Sequence, residues 1–377
     1  MLFRSFNKNS KRNSLKETVI IGMSGGVDSA VAASVLKEQG HNVEAVFMKN
    51  WDEDDTEFCT AAQDYKDALQ ACDTLNIPLR SIDLTKDYWE KVFKIFLEEC
   101  KAGRTPNPDI LCNKEIKFKA FLDFAFELGA DKIATGHYSI IEEKDQLYQL
   151  KKGKDINKDQ SYFLHRLDQF QISKSIFPIG ELSKDIVRKK AKDLNLLNYD
   201  KKDSTGICFI GERNYKNFLR KFFDVYPGEI IKENGEVIGE HDGLMYYTYG
   251  QRQGLGIGGG HGKKEAPWYV SDKIIDENRL VVVQGQDHPS LYHTHVKASN
   301  VNWISGDAPN EDFGITAKIR YRSNDTPCKL EHDSKNTFIE FENPKFAIAP
   351  GQSIVFYAGD TCIGGGYIET RSNKNMS

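Results

Sequence analysis

The chain has 377 residues, 39% of them hydrophobic and 28% charged, with a net charge of −4. That length is enough for two or three cores, and the composition is that of a globular protein, which excludes fibrous and disordered classes. No apolar run approaches the roughly 20 residues that cross a bilayer, so no membrane partner is expected, and the N-terminus does not read as a secretory signal.

Residues 1–16 hold five Lys/Arg and no acid, and read as a basic flexible tail. Seven cysteines (Cys59, Cys72, Cys100, Cys112, Cys208, Cys328 and Cys362) form no CxxC pair and show no zinc spacing. An odd, unframed set points to a reducing cytoplasm and to no metal site. Charge is unevenly spread: residues 151–221 carry 17 Lys/Arg against nine Asp/Glu. Such a block either supplies phosphate contacts or is a solvated face.

Thr18–Gly22 is a short β-branched run suited to a buried strand, and Ala30–Gln39 reads as a helix stopped by Gly40. A second strand is expected at Val43–Met48, followed by an acidic loop at 49–55 whose carboxylates either hold magnesium or, on the simpler reading, are solvated. Then come a helix at 57–75, a strand at Pro78–Leu84, and a helix from a Thr85 cap to Cys100. Residues 101–113 read as a Pro-stiffened loop. Lys114–Leu128 is an amphipathic helix, and Lys132–Thr135 is a strand ending at Gly136-His137-Tyr138. Strands alternating with helices predict an α/β fold with a doubly wound parallel sheet, whose ligands sit beyond the carboxyl ends of the strands. From 159 to 220 the pattern is helical, with Ser183 as an N-cap. Short strands and glycine turns then give a small β-rich domain over 222–290. A C-terminal β-barrel is expected over 291–377, with strands near 296–303, 314–322, 337–341 and 353–358 and turns at Pro350-Gly351 and Gly364–Gly366. The first domain is bounded at 17–221.

Ser24-Gly25-Gly26-Val27-Asp28-Ser29 joins the first strand to the first helix. Glycines let the backbone approach a ligand, and bare N–H groups with the helix dipole form an anion site. The loop lacks the Gly-Lys-Ser/Thr ending of a Walker loop. It resembles the SGGxDS loop of the ATP pyrophosphatases (the PP-loop superfamily), which adenylate a carbonyl oxygen and release pyrophosphate. Taken alone it leaves several such enzymes open.

Two cysteines sit in unusual surroundings. Cys112 closes Gly103-Arg-Thr-Pro-Asn-Pro-Asp-Ile-Leu-Cys-Asn113, with Asp109 three residues before it as a proton-handling candidate. A helix dipole next to that loop would lower the thiol pKa. Cys208 lies in Asp203-Ser-Thr-Gly-Ile-Cys-Phe-Ile-Gly211. Each alone is compatible with an inert buried thiol. As a pair, one can carry sulfur as a persulfide and the other can cleave it.

Six segments in order resemble the bacterial tRNA-specific 2-thiouridylases: Gly22–Ser29, Pro106–Asn113, Thr135–Tyr138, Lys158–Leu164, Ser204–Gly211 and Tyr249–Gly259, with Arg320-Tyr321 and Pro350-Gly351-Gln352 behind them. The resemblance implies a sulfurtransferase that adenylates the wobble uridine of the tRNAs for Lys, Glu and Gln. It then replaces the 2-oxygen with sulfur, releasing AMP and pyrophosphate. It implies catalytic roles for Cys112, Cys208 and Asp109, with the persulfide on Cys208 and a disulfide between the two thiols as an end state. ATP, with Mg2+ as counter-ion, falls on Gly22, Met23, Ser24, Gly25, Gly26, Val27, Asp28, Ser29, Met48 and Gly136. Contacts to tRNA fall on Asn107, Pro108, Asp109, His137, Lys158, Asp159, Gln160, Arg320, Tyr321 and Gln352. The implied sulfur source is a cysteine desulfurase or a relay protein. Ligases and amidotransferases of the same superfamily need no thiol pair, and a thiolase with an iron–sulfur cluster would show CxxC motifs. A noncatalytic RNA-binding protein with a relic loop would not consume ATP.

Overall fold

The computed structural model describes residues 16–51, 61–202, 215–257, 266–309, 314–333 and 335–373. Among the described residues three sheets form. The first is parallel. Its strands are β1 (Thr18–Gly22), β2 (Asn42–Lys49), β3 (Leu79–Asp83) and β4 (Lys132–Ala134), joined further along the chain by β7 (Ser175–Ile176), in the order β3-β2-β1-β4-β7. Alternate residues of β1 enter different cores. Ile20 joins Phe93, Cys112 and Phe121 on one side, while Val19 and Ile21 join Val27, Ala30 and Val187 on the other. Both faces are therefore covered by helices, which is why β1 reads as an unbroken apolar run. This is the expected doubly wound sheet.

The strand order reverses at β1, whose neighbours are β2 and β4. The crevice beyond their carboxyl ends is where such sheets bind ligands. Gly22, Lys49 and Ala134 end the three strands there, with Met48 one residue before the end of β2.

Some local expectations are corrected. The helix expected from Lys114 begins six residues earlier: Pro108–Leu111 is its first turn, Cys112–Ala120 continues with the wider π-type winding, and Phe121–Glu127 completes it. Pro108 reads as a loop stiffener, but it stands at the first helical position, where its missing N–H costs nothing. Asn107 is the cap, accepting from the Asp109 amide at 3.0 Å. Thr85 does not cap the helical run Thr85–Lys101; instead its amide and hydroxyl both donate to Asp83 Oδ1, at 3.0 and 2.7 Å. Ser183 does cap its helix, Lys184–Asp193. The acids of the loop at 52–55 lie outside the described residues.

The middle sheet holds β8 (Gly228–Lys232), β9 (Val237–His241), β10 (Trp268–Ile274) and β11 (Arg279–Gln284), in the order β10-β11-β8-β9. The third sheet contains β12 (Tyr292–Trp303), β13 (Ile315–Lys318), β14 (Thr326–His332), β15 (Asn336–Phe346), β16 (Ser353–Ala358) and β17 (Thr361–Ser372). β12 pairs with both β15 and β17, which closes six antiparallel strands into a barrel. Gly364–Gly366, expected as a turn, lies inside β17. A Cβ at Gly365 would stand 2.5 Å from the Ile354 carbonyl oxygen, and one at Gly366 would stand 2.6 Å from that of Ser299. Glycine here admits close strand packing and does not bend the chain.

A hairpin from the first half of the chain extends this barrel. β5 (Ser139–Lys144) and β6 (Leu147–Lys152) follow β4, and β6 pairs with β17 through Lys151 with Thr361 and Leu150 with Cys362. No helix of the described residues is long and apolar enough to cross a membrane.

Candidate active site

The Ser24–Ser29 loop is closed on itself by hydroxyls. Ser29 Oγ lies 3.2 Å from Ser24 Oγ, accepts from the Ser24 amide at 3.3 Å and donates to the Gly26 carbonyl at 3.1 Å. The helix Val27–Glu38 starts at Gly26 without a side-chain cap, so its first amides are left for an anion. Two glycines are required by space. Gly25, at φ +76°, lies so close to the Asp64 backbone that a Cβ would stand 2.2 Å from its oxygen. Gly136 lies against the loop itself, where a Cβ would meet the Ser29 amide nitrogen at 2.7 Å. Met23 and Met48 are buried beside it, and the Met23 amide donates to the Val46 carbonyl at 2.9 Å. The glycine cradle and uncapped helix start fit a polyphosphate.

Asp28 is held by neighbouring side chains. Its carboxylate accepts from Lys184 Nζ at 2.7 and 2.9 Å and from the Tyr138 hydroxyl at 2.8 Å. The Gly25 carbonyl accepts from Asn198 Nδ2 at 3.0 Å and lies 3.4 Å from Lys201 Nζ, which also reaches Asp64 and Asp67. Sequence reasoning missed Lys184, Asn198 and Lys201. The two lysines read only as members of a basic block, and nothing local marks any of the three.

Cys112 is fully buried in the core beneath the sheet, alongside Ile20, Met48 and Phe121. Asp109, one helical turn earlier, is half-buried. Asn113 donates to the Phe163 carbonyl at 3.2 Å, which ties this helix to the segment 158–164. Cys208 lies outside the described residues. Earlier in the chain Asn198 and Lys201 are tied to Gly25, and later in it Phe218 packs on Trp51 and Phe93.

Most of the remaining candidates are each held by defined partners. Asp159 is buried and accepts from the Gly153 and Ser161 amides and the Ser161 hydroxyl, with Lys318 Nζ of the barrel at 3.8 Å. Gln160 grips Tyr138 twice: its amide donates to the Tyr138 carbonyl, and its Oε1 accepts the Tyr138 amide, both at 2.9 Å. Lys158 is half-buried. Tyr321 lies on Phe163, with ring centroids 4.4 Å apart, and Arg320 donates to the carbonyls of Phe346 and Ala347 at 2.8 and 2.7 Å. Gln352 donates to the Thr105 carbonyl at 2.6 Å, two residues before Asn107. His137 is buried between Phe118 and Phe177, its Nδ1 2.7 Å from the Thr135 hydroxyl. Burial, reinforced by the Lys117 charge, holds its pKa well below the usual range, so the ring is neutral. No cluster of metal-ligating side chains occurs among the described residues.

The junction of the three units is the Gly103–Thr105 backbone. Thr105 N donates to the Pro350 carbonyl at 2.9 Å, and Lys273 Nζ of the middle sheet donates to the Gly103 carbonyl at 2.8 Å. Tyr249-Gly250 closes the same junction. A Cβ at Gly250 would stand 2.4 Å from that of Ala347, and the Tyr249 ring carries Arg371 at 4.2 Å.

Comparison with known proteins follows this division of the chain. Residues 17–212 match the family described as tRNA methyl transferase HUP domain, 216–284 the tRNA methyl transferase PRC-barrel domain and 293–368 the aminomethyltransferase beta-barrel domain. The chain is 54% identical over 366 residues to the tRNA-specific 2-thiouridylase MnmA of Hydrogenovibrio crunogenus, covering 96% of each. It is 56% identical over 357 residues to that of Nitrosomonas europaea, covering 94% of this chain and 98% of the relative. The U34-tRNA thiolase NcsA from Methanococcus maripaludis, solved with its [4Fe-4S] cluster, is 17% identical with a TM-score of 0.34, over 55% of this chain and 64% of that one. On the full-length identity to the two 2-thiouridylases, the chain belongs to the tRNA-specific 2-thiouridylase family of sulfurtransferases.

Proposed function

We propose that the protein thiolates the wobble uridine of the tRNAs for Lys, Glu and Gln. The observation that carries this reading is that the 158–164 segment is tied both to the glycine cradle, through Gln160, Tyr138 and Asp28, and to the Asn107–Asn113 helix start, through Phe163 and Asn113. ATP lies on Gly22–Ser29, Met48 and Gly136, with Mg2+ travelling on its phosphates. The uridine O2 attacks the α-phosphorus and pyrophosphate leaves. The terminal sulfur of a Cys208 persulfide then attacks C2, and AMP leaves with the oxygen. Cys112 attacks the Cys208 sulfur, freeing 2-thiouridine and leaving a Cys112–Cys208 disulfide, which a thiol reductant reopens. Asp109 moves the protons, and a desulfurase or relay protein in the cytoplasm reloads Cys208.

The target base must leave its stack to reach this edge, which an anticodon loop permits cheaply. Asn107–Asp109, His137, Lys158–Gln160, Arg320-Tyr321 and Gln352 form the RNA-facing set. In it, buried Pro108, His137 and Asp159 act by holding the half-buried members in place. The working division is 17–221 for adenylation and thiolation, 222–290 as the middle unit and 291–377 as the barrel.

The test is single-turnover sulfur transfer from a labelled persulfide, with AMP followed in parallel. Cys208→Ser is expected to take up no usable sulfur. Cys112→Ser is expected to take it up and fail to deliver it. Full thiolation by either variant overturns the two-thiol reading.

A further inference from the structure

The ATP loop and the 155–160 turn are joined by a closed ring of hydrogen bonds. From the loop, Asp28 holds Lys184 through both carboxylate oxygens and Tyr138 through one. The Lys184 amide donates to Asp155 Oδ2 at 2.9 Å, and Asp155 Oδ1 accepts from the Asn157 amide at 3.1 Å. Tyr138 is held at both backbone polar groups by Gln160. Asp155 and Gln160 belong to one turn, closed by the Lys158 amide on the Asp155 carbonyl at 2.9 Å. Two independent spokes therefore run from that turn to one carboxylate in the phosphate cradle.

The ring is short and well packed. The Lys184 side chain is 9% exposed and Tyr138 is buried, with Lys184 Nζ 5.8 Å from its ring centre. Every link measures 2.7–2.9 Å except the Asn157 strut, so a displacement of the turn larger than the links can take up by stretching moves Asp28 or breaks a bond. The charge logic has the same sense. A bare carboxylate in the first helical turn would repel a polyphosphate, and the Lys184 ammonium cancels that charge.

We propose that Tyr138 and Lys184 are positioning residues that couple RNA held at the 155–160 turn to ATP held on the Ser24–Ser29 loop. This rests on the functional reading above, which places both ligands. Coupling is a free energy shared by two sites, so each ligand must raise the affinity for the other by one common factor.

The experiment measures binding of an unmodified transcript of a tRNA with uridine at the wobble position, with and without α,β-methylene ATP, and the reverse titration. For the unaltered protein a coupling factor of about tenfold is expected, equal in both directions. Tyr138→Phe and Lys184→Met are each expected to lower it below about threefold, and Lys184→Arg to restore most of it. The factor is a ratio within each variant, so a uniform loss of affinity or of folded protein cancels from it. Two measurable affinities with a factor near one overturn the coupling, as does a factor unchanged in both Tyr138→Phe and Lys184→Met. Failure of the unaltered protein to bind either probe overturns the functional reading instead, and this inference with it.

Discussion

Ser29 and Gly136 approach so closely that a single methyl group at Gly136 would crowd the Ser29 amide. Gly136→Ala is therefore expected to displace the cradle and to lower ATP–pyrophosphate exchange by about 100-fold, the usual result of an ångström-scale misplacement. Ser29→Ala removes the hydroxyl that closes the loop. It should abolish AMP formation while costing about 1 kcal/mol in urea unfolding, because only local hydrogen bonds are removed. Normal AMP formation by Ser29→Ala would remove this loop from the chemistry. Ser24, Gly25, Gly26 and Ser29 are legible in the sequence because a tight turn, with Gly25 at φ +76°, needs those residue types at that spacing. The crowding of Gly25 by Asp64 and of Gly136 by Ser29 comes only from the fold. Lys184 is not legible, because its partner Asp28 is 156 residues away and only the fold brings them together. Cys112 is legible as unusual but reads as the end of a loop. The two prolines around Asn107 read as stiffeners, although the second of them starts a helix.

The elements divide in the same way. Parallel strands announce themselves by apolar runs, and β1 to β4 are all visible. The hairpin of β5 and β6 is not, because only part of it is buried and its remaining partner strand lies in the barrel. The β17 glycines read as a turn because glycine marks both turns and crowded backbone. Only the packed barrel shows that Gly365 lies against the Ile354 carbonyl and the His165 ring. Gly365→Ala is accordingly expected to cost about 1–3 kcal/mol by overpacking, measured as a lower urea midpoint with an unchanged slope. A change in slope without a change in midpoint would contradict that cause. The basic block also separates into parts. Lys151 pairs with Glu142, Lys152 with Asp325, Lys184 with Asp28 and Lys201 with Asp64 and Asp67, so these charges hold elements together. Replacing them reports on folding as much as on RNA.

On the scale of the whole molecule, the exposed part of that block carries the test of RNA binding. Lys189, Lys192 and Lys202 are exposed, and changing all three to Gln should weaken binding of every cognate tRNA alike. The log–log salt slope should fall by about 0.7–0.9 for each phosphate that is no longer neutralised. An unchanged slope would mark them as a solvated face. The junction at Gly103 supplies a pH test. Burial pushes the Lys273 ammonium down from 10.5 to about 8, and Cys100, Arg371 and Asp272 are the charged or titratable groups around it. Between those two values the unfolded chain binds the extra proton, so this group makes stability rise with pH through that window; below about pH 8 its full penalty applies. Lys273→Met has no such titration. The unaltered protein should therefore gain on the order of 2–3 kcal/mol relative to that variant between about pH 8 and 10.5, read from paired urea melts. A constant difference would show that the lysine is not desolvated.

The pairing of β6 with β17 also bears on synthesis. β6 ends at Lys152 and its partner begins at Thr361. On a ribosome adding about 5–20 residues per second, the open edge of that hairpin waits roughly 10–40 s for its neighbour. During that interval it is an exposed strand on an otherwise finished unit, and such edges template pairing with other chains. The nascent protein is thus most exposed to misassembly late in its translation, and slow codons between the two strands would lengthen that exposure.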